Sequence, residues 1–568
     1  MIRVIIFMMA IVFITKSFAQ SLPDTTIKKI DNLFFQWNNP NSPGCTVGIV
    51  RNDSLIFSKG YGMANLEYNM PNEPQTLFNM ASVSKQFTAY AIVLLVREGK
   101  LNLQDDIHKW LPWFPDLKEK ITIRNLLNHT SGIRDQWQLL AITGTRQEDV
   151  ITQDHIIKIL SKQQALNFKP GDKYCYSNSN YTMLAEIVKA ASGKTLRQYT
   201  DSAIFKPLGM TNTHFHDDYE EIEKNRSYSY NRKDSTHFSN AIISYSVAGA
   251  TSLFTNINDM SKWVMNFYDP KVGDAKDIEM LTTTGKLNNG KELGYALGIA
   301  KDTWKGWRCF LHSGGDAGYR TLVAVFPDLK MGFIVFSNLR DFNPFEKDYA
   351  MADLFIKDTT ARKGEEVKKE QRDSMAAVLK DTLSVKNFTG YYIGEEGFPV
   401  RVYLKNSKLY YQFFNGTSFF PKPFWEGNLL RESKDTFSIA DITPEMKLIF
   451  SGKLKDTTIH VITQDEVFQL NKYRNDTPQT NKVLIKYTGI YYCPELDCKY
   501  GIVLKNNHLY LTNSKYNDVK LTLIGLDHLL NDSRWMKHMM MKRDSHNNIT
   551  GFEVNQSRIQ HLLFNKIE

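Results

Sequence analysis

The last part of the chain repeats itself, and this feature limits the possible folds more than any other. Three short stretches recur at a spacing of about one hundred residues, and three matches at one spacing indicate an internal duplication. The matched pairs are 387–392 with 486–491, 404–410 with 504–510, and 429–433 with 529–533. This part of the chain must therefore fold as two similar units.

Each copy has the pattern of β-strands. Short runs of aromatic and β-branched residues, such as 400–404 and 502–504, alternate with polar turns, and neither copy contains a long helical pattern. Small antiparallel barrels fit best, because closing a sheet removes its exposed edges. We expect β-barrel repeats over 386–475 and 484–568. Such barrels would shape or cover a cleft, mediate assembly or hold a ligand, and neither carries a charged group of residues suited to chemistry.

The chain upstream of the duplication is long enough for a larger domain. The whole chain of 568 residues exceeds one ordinary core, and its content of 42% hydrophobic and 23% charged residues is typical of folded proteins. The positive excess is mild and unclustered, so we expect no nucleic-acid partner. We expect a domain over 20–355, followed by a linker over 356–385 that is rich in charged and hydroxyl side chains.

Residues 1–19 have the pattern of a secretory signal peptide. Arg3 precedes an apolar run over 4–15, and Ser-Phe-Ala at 17–19 supplies a small-x-small cleavage site. A membrane anchor is the alternative, but the run is too short to span a bilayer and Lys16 closes it. We expect an exported protein, periplasmic or secreted, without a membrane span in its mature form. Loss of Arg3 and Lys16 would lower the net charge from +9 to about +7.

The cysteines and the ligand motifs give little chemistry. Five cysteines are too few for a disulfide scaffold. Cys493 and Cys498 would either close one small loop in an oxidising compartment or remain two free thiols. The sequence contains no His-Glu-x-x-His, paired Cys-x-x-Cys or Walker motif. We therefore expect neither a metal nor a cofactor.

Ser82 and Lys85 place a hydroxyl and an amine one helical turn apart. The apolar run 87–96 contains no Gly or Pro and stops at Gly99, which predicts a helix with Ser82 in its first turn. Unpaired backbone N–H groups at a helix start can stabilise an oxyanion, and a lysine amine can take a serine proton. Ser-x-x-Lys alone is a weak signal, and the alternative is an ordinary exposed helix start.

Two further polar motifs follow along the chain. Tyr176-x-Asn178 lies between a Pro-Gly turn at 170–171 and an amphipathic helix predicted over 181–191. His312-Ser313-Gly314 lies at the end of a strand beside two apolar strands that predict the centre of an antiparallel sheet. Read alone, the first motif is typical of helix caps and turns, and the second of a glycine turn beside a core histidine.

In order, Ser82-x-x-Lys85, Tyr176-x-Asn178 and His312-Ser313-Gly314 match the three motifs of the penicillin-recognising serine hydrolases. The chain resembles the branch that contains class C β-lactamases and serine D,D-carboxypeptidases, over roughly 31–338. The stretches 126–132, 205–210 and 249–255 support the resemblance, and His129, in the first of them, is interpreted as a residue that holds its loop. The resemblance implies an α+β catalytic domain, in which an antiparallel sheet is flanked by helices and joined to an all-helical region.

A catalytic domain followed by two barrel-like copies is also similar to the D-aminopeptidase group within this family. Members of that group act on D-amino-acid amides and short peptides, and the repeated Thr-Gly-x-Tyr stretches of this chain resemble their lipocalin-like tails. This is a likeness of architecture, and a fold by itself carries no reaction.

The resemblance implies a role for each motif residue. Ser82 would attack a carbonyl and become acylated, while Lys85 and Tyr176 share the work of the general base, because the lysine cation lowers the pKa of the phenol. Water would then release the acyl group. Asn178 would orient the substrate amide, and His312, Ser313 and Gly314 would also bind the substrate. The backbone N–H groups of Ser82 and Gly315 would form the oxyanion hole.

His312 departs from the commonest β-lactamase pattern, which has lysine at this place. A lysine cation helps to fix a substrate carboxylate, whereas an unperturbed histidine is mostly neutral at pH 7. The sequence therefore favours an exported serine hydrolase that acts on small peptides, amides or esters, above all D-residue peptides, in the manner of a D-aminopeptidase or D,D-carboxypeptidase. The alternatives are a class C-like β-lactamase or esterase and, in another class, a catalytically silent envelope protein that binds a ligand.

Overall fold

A computed structural model describes most of the chain. The described residues are 22–359, 385–394, 399–413, 425–439, 446–451, 457–462, 467–473, 479–531, 533, 535–556 and 558–568. The predicted signal peptide at 1–19 lies outside them, as does the predicted linker between 360 and 384.

Helices are concentrated in the first 359 residues. In the described part of the chain they are α1 (Asp24–Phe34), α2 (Ser84–Arg97), α3 (Ile123–Leu127), α4 (Gln136–Ile142), α5 (Gln153–Leu160), α6 (Asn178–Ser192), α7 (Leu196–Thr200), α8 (Lys206–Leu208), α9 (Ile257–Asn266), α10 (Ala275–Thr282), α11 (Pro344–Asp353) and α12 (Asn481–Leu484). Within the described residues, no helix has both the length and the apolar character needed to cross a membrane.

The strands of this first part form one large sheet and several small ones. They are β1 (Cys45–Arg51), β2 (Ser54–Tyr61), β3 (Met63–Asn65), β4 (Met70–Pro71), β5 (Phe78–Asn79), β6 (Ile151–Thr152), β7 (His214–Phe215), β8 (Tyr230–Arg232), β9 (Phe238–Asn240), β10 (Tyr245–Ser246), β11 (Leu253–Thr255), β12 (Ala300–Trp304), β13 (Trp307–Asp316), β14 (Tyr319–Phe326) and β15 (Met331–Ser337). The six-stranded sheet runs in the order β12-β13-β14-β15-β1-β2, and a three-stranded sheet has the order β5-β11-β7.

The large sheet is antiparallel and covered on both faces. On β15, Phe333 and Val335 pack into a core with residues of α1 and α11, whereas Ile334 and Phe336 point into a second core with residues of α9. A strand buried on both faces has no polar side, which explains the unbroken apolar run of β15.

The helical region is organised around α2. Residues 84–95 of this helix are all buried, and α6, α7 and α10 pack against it. A helix enclosed on every side needs no polar stripe, so its sequence is apolar without strong amphipathicity. The sheet flanked by helices, together with this helical region, confirms the predicted α+β class.

The duplicated part of the chain forms two closed eight-stranded antiparallel barrels, as the repeat pattern predicted. The first consists of β16 (Gly390–Ile393), β17 (Val400–Lys405), β18 (Lys408–Phe413), β19 (Trp425–Arg431), β20 (Thr436–Ile439), β21 (Lys447–Ser451), β22 (Thr458–Ile462) and β23 (Val467–Tyr473). The second consists of β24 (Gly489–Cys493), β25 (Cys498–Lys505), β26 (His508–Asn513), β27 (Tyr516–Ile524), β28 (His528–Leu530), β29 (His538–Arg543), β30 (Ile549–Gln556) and β31 (Ile559–Lys566). In the second, Cys493 and Cys498 lie opposite each other as free thiols.

The repeated Thr-Gly-x-Tyr motif is the first corner of each barrel. Its glycines, Gly390 and Gly489, have φ values of +149° and +146°, which side chains disfavour. The tyrosine two residues later donates its hydroxyl to a carbonyl four residues before it, at 2.8 Å in the first barrel and 2.7 Å in the second. The motif therefore repeats because both barrels need the same corner.

The second barrel is anchored to the catalytic domain by a buried ion pair. Arg134, which precedes α4, extends Nη1 to the two carboxylate oxygens of Glu495 at 2.9 and 3.0 Å. The side chains of the pair are 1% and 7% exposed. Arg134 also donates to the carbonyls of Gln560 and His561, and apolar residues of the barrel belong to the same core as α4 and α6.

The first barrel packs on the second. Ile393 of the first barrel joins Ile524 and Leu530 of the second in a small buried cluster, with Tyr391 and Tyr473 against it. The first barrel has its own separate apolar interior. The two copies thus have the same fold and different neighbours.

Candidate active site

Ser82 lies in a tight turn between β5 and α2. Ala81–Val83 is a 3-10 turn and α2 begins at Ser84. Ser82 therefore lies two residues before α2, whereas the sequence predicted it in the first turn of the helix. Ala81 has a φ of +49°, a left-handed conformation that costs an L-residue about 1–2 kcal/mol.

Neighbouring hydrogen bonds hold this strained turn in place. Ala81 N donates to Asn79 Oδ1 at 2.7 Å, and Met80 N donates to the Leu253 carbonyl at 2.8 Å. On the other side, the Thr321 hydroxyl donates to the Met80 carbonyl at 2.9 Å. The position of the serine is therefore determined by β5, β11 and β14 together.

The amine of Lys85 is buried beside Ser82. Its Nζ lies 3.1 Å from Ser82 Oγ, 3.0 Å from Asn178 Oδ1 and 2.7 Å from the Ala250 carbonyl. Burial lowers the pKa of Lys85 well below its usual value, and the charge of Arg558 lowers it further. A neutral amine donates two N–H groups and keeps one lone pair. The oxygens of Asn178 and Ala250 take those donors, so the lone pair is free to accept the Ser82 proton.

Tyr176 approaches the same serine. Lys85 Nζ lies 4.8 Å from the centroid of the Tyr176 ring, and the phenol shares a hydrogen bond with the Ser82 hydroxyl. Burial raises the pKa of Tyr176 to about 12, although the Ser82 hydrogen bond and the Arg558 charge act in the opposite direction. The phenol therefore keeps its proton at neutral pH.

These protonation states differ from the sequence expectation. A Lys85 cation was expected to make a Tyr176 phenolate accessible, and that expectation was wrong. Both groups are buried, and burial disfavours the charged form of each, the ammonium as well as the phenolate. The neutral amine is thus the better base, and the phenol is placed to carry a proton.

Asn178 begins α6 and is held at both ends of its amide. Its Oδ1 accepts from Lys85, while its Nδ2 and its backbone N–H both donate to Asp135 Oδ2 at 2.8 Å. Asp135 Oδ1 in turn accepts from the first backbone N–H groups of α4. Asn178 therefore holds the Lys85 amine in place and also lines the cavity. The sequence predicted only a role in substrate binding for this residue.

His129 supports the loop that carries Tyr176. The ring is buried, its centroid lies 4.3 Å from that of Tyr176, and its Nδ1 accepts from Ser177 N at 3.2 Å. Burial lowers the pKa of His129 well below its usual value, so the ring is neutral. This placement agrees with the interpretation of His129 as a residue that holds a loop.

His312 is also buried and neutral. Its Nδ1 lies 2.6 Å from the Ser313 carbonyl, which can only accept, so Nδ1 carries the proton and Nε2 accepts from the Tyr295 hydroxyl at 2.9 Å. Burial lowers the pKa of His312 to about 3. The third motif therefore supplies no cation, in agreement with the sequence expectation.

The glycines of the third motif bring β13 against the nucleophile turn. A Cβ atom at Gly314 would lie 2.3 Å from the Met80 carbonyl oxygen, so only glycine permits this approach. Gly315 and Ser313 line the same cavity as Ser82. The predicted oxyanion pair, Ser82 and Gly315, thus meets at one cavity.

The cavity at Ser82 has a volume of about 770 Å³ and is formed by two parts of the chain. No described residue of the first barrel lines it. The catalytic domain contributes Ser82, Tyr176, Asn178 and His312 among others, and the second barrel contributes Tyr516, Trp535 and Arg558.

Arg558 is a residue of this site that no sequence motif predicted. It lies in the turn between β30 and β31, with its guanidinium carbon 4.7 Å from the centroid of the Tyr176 ring and its Nη1 3.8 Å from Asp135 Oδ2. Its carbonyl accepts from Asp135 N and from Asn167 Nδ2, which fixes the turn. The side chain is 40% exposed and lines the cavity. Arg558 therefore brings a permanent cation to the cavity, whereas the neutral His312 does not.

The chain matches a known family and several curated proteins. A family model described as Beta-lactamase matches residues 30–356. Penicillin-binding protein 4* of Bacillus subtilis is 26% identical over 396 residues, which are 67% of this chain and 86% of that protein. The putative penicillin-binding protein PbpX of the same species is 35% identical over 241 residues, 42% of this chain and 59% of its own. The D-aminopeptidase of Brucella anthropi is 28% identical over 284 residues, which are 50% of this chain and 53% of that protein. PbpX and the D-aminopeptidase are thus matched over little more than half of their own length.

Solved structures match as well. The octameric penicillin-binding protein homologue from Pyrococcus abyssi superposes with a TM-score of 0.53 at 22% identity, covering 78% of this chain and 100% of that chain. A penicillin-binding protein from Bacillus halodurans gives a TM-score of 0.51 at 22% identity, covering 57% and 99%. The likeness at these identities is one of fold. Because the family model covers more than half of the chain, the protein belongs to the Beta-lactamase family and is a serine hydrolase.

Proposed function

We propose that this chain is an exported serine hydrolase that forms an acyl-enzyme with small peptides, amides or esters, above all peptides with D-residues. The observation that carries the proposal is the meeting of the Ser82 hydroxyl, the neutral Lys85 amine and the Tyr176 phenol at one cavity. The signal-peptide pattern of residues 1–19 supports export.

In the acylation step, Ser82 Oγ attacks the substrate carbonyl carbon while Lys85 Nζ takes its proton. The carbonyl oxygen becomes an oxyanion, which the backbone N–H groups of Ser82 and Gly315 stabilise. Tyr176 then gives its proton to the leaving nitrogen or oxygen and recovers one from the Lys85 ammonium. The bond to the leaving group breaks, and the serine holds the acyl group as an ester.

Deacylation uses the same groups in the reverse sense. Water enters where the leaving group stood and attacks the ester carbonyl, and its proton passes through Tyr176 to Lys85. The tetrahedral intermediate collapses, Ser82 Oγ leaves and Lys85 returns the proton to it. The products are a carboxylic acid and the free enzyme, with all protons accounted for.

Arg558 supports a substrate that carries a carboxylate near the scissile bond. A guanidinium binds a carboxylate through charge-assisted hydrogen bonds, and this one borders the cavity with 40% of its side chain exposed. The terminal carboxylate of a short peptide would fit this contact. Within the peptidase hypotheses, Arg558 therefore favours cleavage in the manner of a D,D-carboxypeptidase over that of a D-aminopeptidase, which must hold an ammonium group.

A turnover screen with the full mature chain tests the proposal. The substrates are N-acetyl-D-alanyl-D-alanine, its C-terminal amide, D- and L-alanine amides, a short p-nitrophenyl ester and nitrocefin. We expect turnover of D-configured peptides or esters by the wild type and a loss on the order of 10⁴-fold or more in Ser82→Ala. Turnover confined to nitrocefin would favour the β-lactamase alternative. Absence of turnover on every substrate, or equal turnover by Ser82→Ala, would contradict the proposal.

A further inference from the structure

A second group of reactive side chains lies away from the Ser82 cavity. It consists of two histidines, His214, which begins β7, and His216, which directly follows the strand, and two carboxylates of the following loop, Glu221 and Glu223. Each of the four offers one donor atom, and these atoms all lie within 4.8 Å of one another. None of these residues has a part in the proposed acyl-enzyme chemistry.

The fold fixes the two imidazoles on one side of the strand. Residues two apart in an extended segment point to the same face, so His214 and His216 point the same way. Both rings pack on Phe254 of β11, with centroid distances of 6.2 and 5.2 Å. The backbone N–H of His216 donates to the Ser252 carbonyl at 2.8 Å, which continues the pairing of β7 with β11.

The nitrogens of this group lack ordinary hydrogen bonds. His214 Nε2 and His216 Nδ1 are buried, and within the described part of the chain neither has a partner with hydrogen-bond geometry. Yet Glu223 Oε1 lies only 2.7 Å from the first and 3.5 Å from the second. The His216 side chain is 5% exposed, so water does not compensate for the missing bond. Glu223 Oε1 thus lies near both ring nitrogens without a hydrogen bond of good geometry to either.

The distances can be compared with those around a transition metal. Four donors at about 2.0–2.2 Å around a tetrahedral ion lie about 3.3–3.6 Å from one another. Glu223 Oε1 lies 3.5 Å from His216 Nδ1, which matches this spacing, and 2.7 Å from His214 Nε2, a pair that must open to admit an ion. Imidazole nitrogen with carboxylate oxygen is a common ligand set for zinc and its neighbours, whereas calcium and magnesium prefer oxygen alone. The mixed set therefore favours a zinc-like ion.

Glu221 is oriented by a neighbouring cation. Arg197 Nη2 donates to Glu221 Oε1 at 2.8 Å, and Arg197 Nη1 also contacts Asp217 at 3.0 Å. Glu221 Oε2 lies 3.8 Å from His216 Nδ1 and also accepts from Arg197 Nη1 at 2.5 Å. A carboxylate held from behind in this way is typical of the outer support of a metal site, which leaves the two histidines and Glu223 as the inner ligands.

We propose that His214, His216 and Glu223, with Glu221 as the fourth or a supporting ligand, form a binding site for one divalent transition-metal ion of the zinc type. The sequence predicted no metal, because the spacing His-x-His-x4-Glu-x-Glu is not one of the common zinc signatures. The contact between strand and loop that completes the group is a property of the fold.

The ion would tie the loop at 217–226 to the sheet that holds the nucleophile turn. Phe254 of β11 lies opposite both His214 and Asn79, the residue that fixes Ala81. The same loop pairs with the chain before β5, where Leu77 N donates to the Asn225 carbonyl at 2.9 Å. The role is therefore structural, and metal binding would raise the stability of this part of the domain.

Metal titration of the full mature chain tests the site. After dialysis against EDTA and its removal, we expect the wild type to bind one equivalent of Zn²⁺, to give the visible absorption of tetrahedral Co²⁺ with cobalt, and to unfold at a higher temperature with Zn²⁺. His216→Asn and Glu223→Gln should weaken Zn²⁺ binding on the order of a hundredfold or more. His237→Asn is the matched control, because this histidine lies exposed beside Asp234 outside the group.

The outcomes separate clearly. Failure of the wild type to bind Zn²⁺ or Co²⁺ would overturn the proposal, as would equal binding by His216→Asn, Glu223→Gln and His237→Asn. Should His216→Asn not fold, the isosteric Glu223→Gln and the cobalt spectrum of the wild type still decide the question. Ester turnover measured on the same samples reports on Ser82 independently, since no ligand of the proposed ion touches the reacting atoms.

Discussion

The two barrels are copies of one fold, but they stand in different relations to the Ser82 cavity. The second barrel is joined to the catalytic domain by the buried Arg134–Glu495 pair and lines the cavity with three side chains. The first barrel packs on the second through Ile393, and none of its described residues lines the cavity. Duplication has thus produced one copy that lines the Ser82 cavity and one whose described residues do not.

Particular residues account for the difference. The second barrel has Tyr500 opposite Tyr491, and the Tyr500 hydroxyl donates to the Ile142 carbonyl of α4 at 2.8 Å. The first barrel has Val400 at the matching place opposite Tyr392 and so has no such donor. The turn before the last strand holds Arg558 in the second barrel, whereas in the first its sequence, 463–466, is Thr-Gln-Asp-Glu and lies outside the described residues. A few side chains on a common fold therefore distinguish the copy that contacts α4 and lines the cavity.

The largest effect should come from breaking the anchor of the second barrel. Arg134→Ala leaves the Glu495 carboxylate buried without its partner, which costs about 3–5 kcal/mol of folding free energy. Arg401→Ala, in the first barrel, removes a guanidinium that lies 5.0 Å over the Tyr403 ring and should cost less than about 1 kcal/mol. Urea unfolding monitored by tryptophan fluorescence measures both. Similar values for the two variants would remove the distinction between the barrels.

The next largest effect concerns substrate recognition. Arg558→Ala should lower kcat/KM on N-acetyl-D-alanyl-D-alanine about a hundredfold, or about 2.7 kcal/mol, because a charge-assisted contact to the carboxylate is lost. The C-terminal amide of the same peptide should change by less than about threefold, and Arg558→Lys should recover part of the loss. Lys505→Ala, an exposed position of the same barrel, is the control. Equal losses on acid and amide would show that Arg558 supports the fold and does not bind a carboxylate.

Arg558 should also move the pH dependence of the reaction. Burial and the Arg558 charge both lower the pKa of Lys85, so kcat/KM should fall as the pH drops through that lowered pKa and the amine loses its lone pair. Removing the guanidinium raises the pKa of Lys85 and shifts this acid limb to higher pH. Tyr176, with its pKa raised to about 12, adds no fall in the ordinary alkaline range. The profile is measured on the uncharged amide substrate, and an acid limb that stays fixed or moves to lower pH would contradict the assignment.

The smallest effect tests the contact that the first barrel lacks. Tyr500→Phe removes one buried hydrogen bond to the Ile142 carbonyl and should cost about 1 kcal/mol. Tyr492→Phe, whose exposed hydroxyl contacts Asp497, should cost less than about 0.5 kcal/mol. Thermal unfolding of the two variants side by side gives the comparison, and a Tyr500→Phe value no larger than the control would mean that this bond does not hold the barrel.

Much of this architecture could be predicted from the sequence because its signals are local. The Thr-Gly-x-Tyr corner repeats as a short string, since Gly390 and Gly489 need the same backbone conformation. Ser82-x-x-Lys85 lies within one turn, and the residue types of the other two motifs are recognisable in order. The α+β class and the two barrels were confirmed for this reason.

The remaining features depend on contacts between distant parts of the chain. Arg558 lies in a short turn without a recognisable pattern, and it reaches Tyr176 across the contact between the second barrel and the catalytic domain. The protonation states of Lys85 and Tyr176 follow from complete burial, which no spacing of residues reveals. The histidine and glutamate group likewise joins a strand to a loop. The residues of the three motifs were therefore easier to predict from the sequence than the surroundings that set their protonation states.

The most direct test of the account is to find which atom becomes acylated. The mature protein is treated with a fluorophosphonate, its intact mass is measured, and the modified peptide is sequenced by tandem mass spectrometry beside Ser82→Ala. We predict one adduct per chain, located on Ser82 and absent from the variant. Labelling of another residue, or equal labelling of the two proteins, would contradict the assignment of Ser82 and with it the active site shared between the catalytic domain and the second barrel.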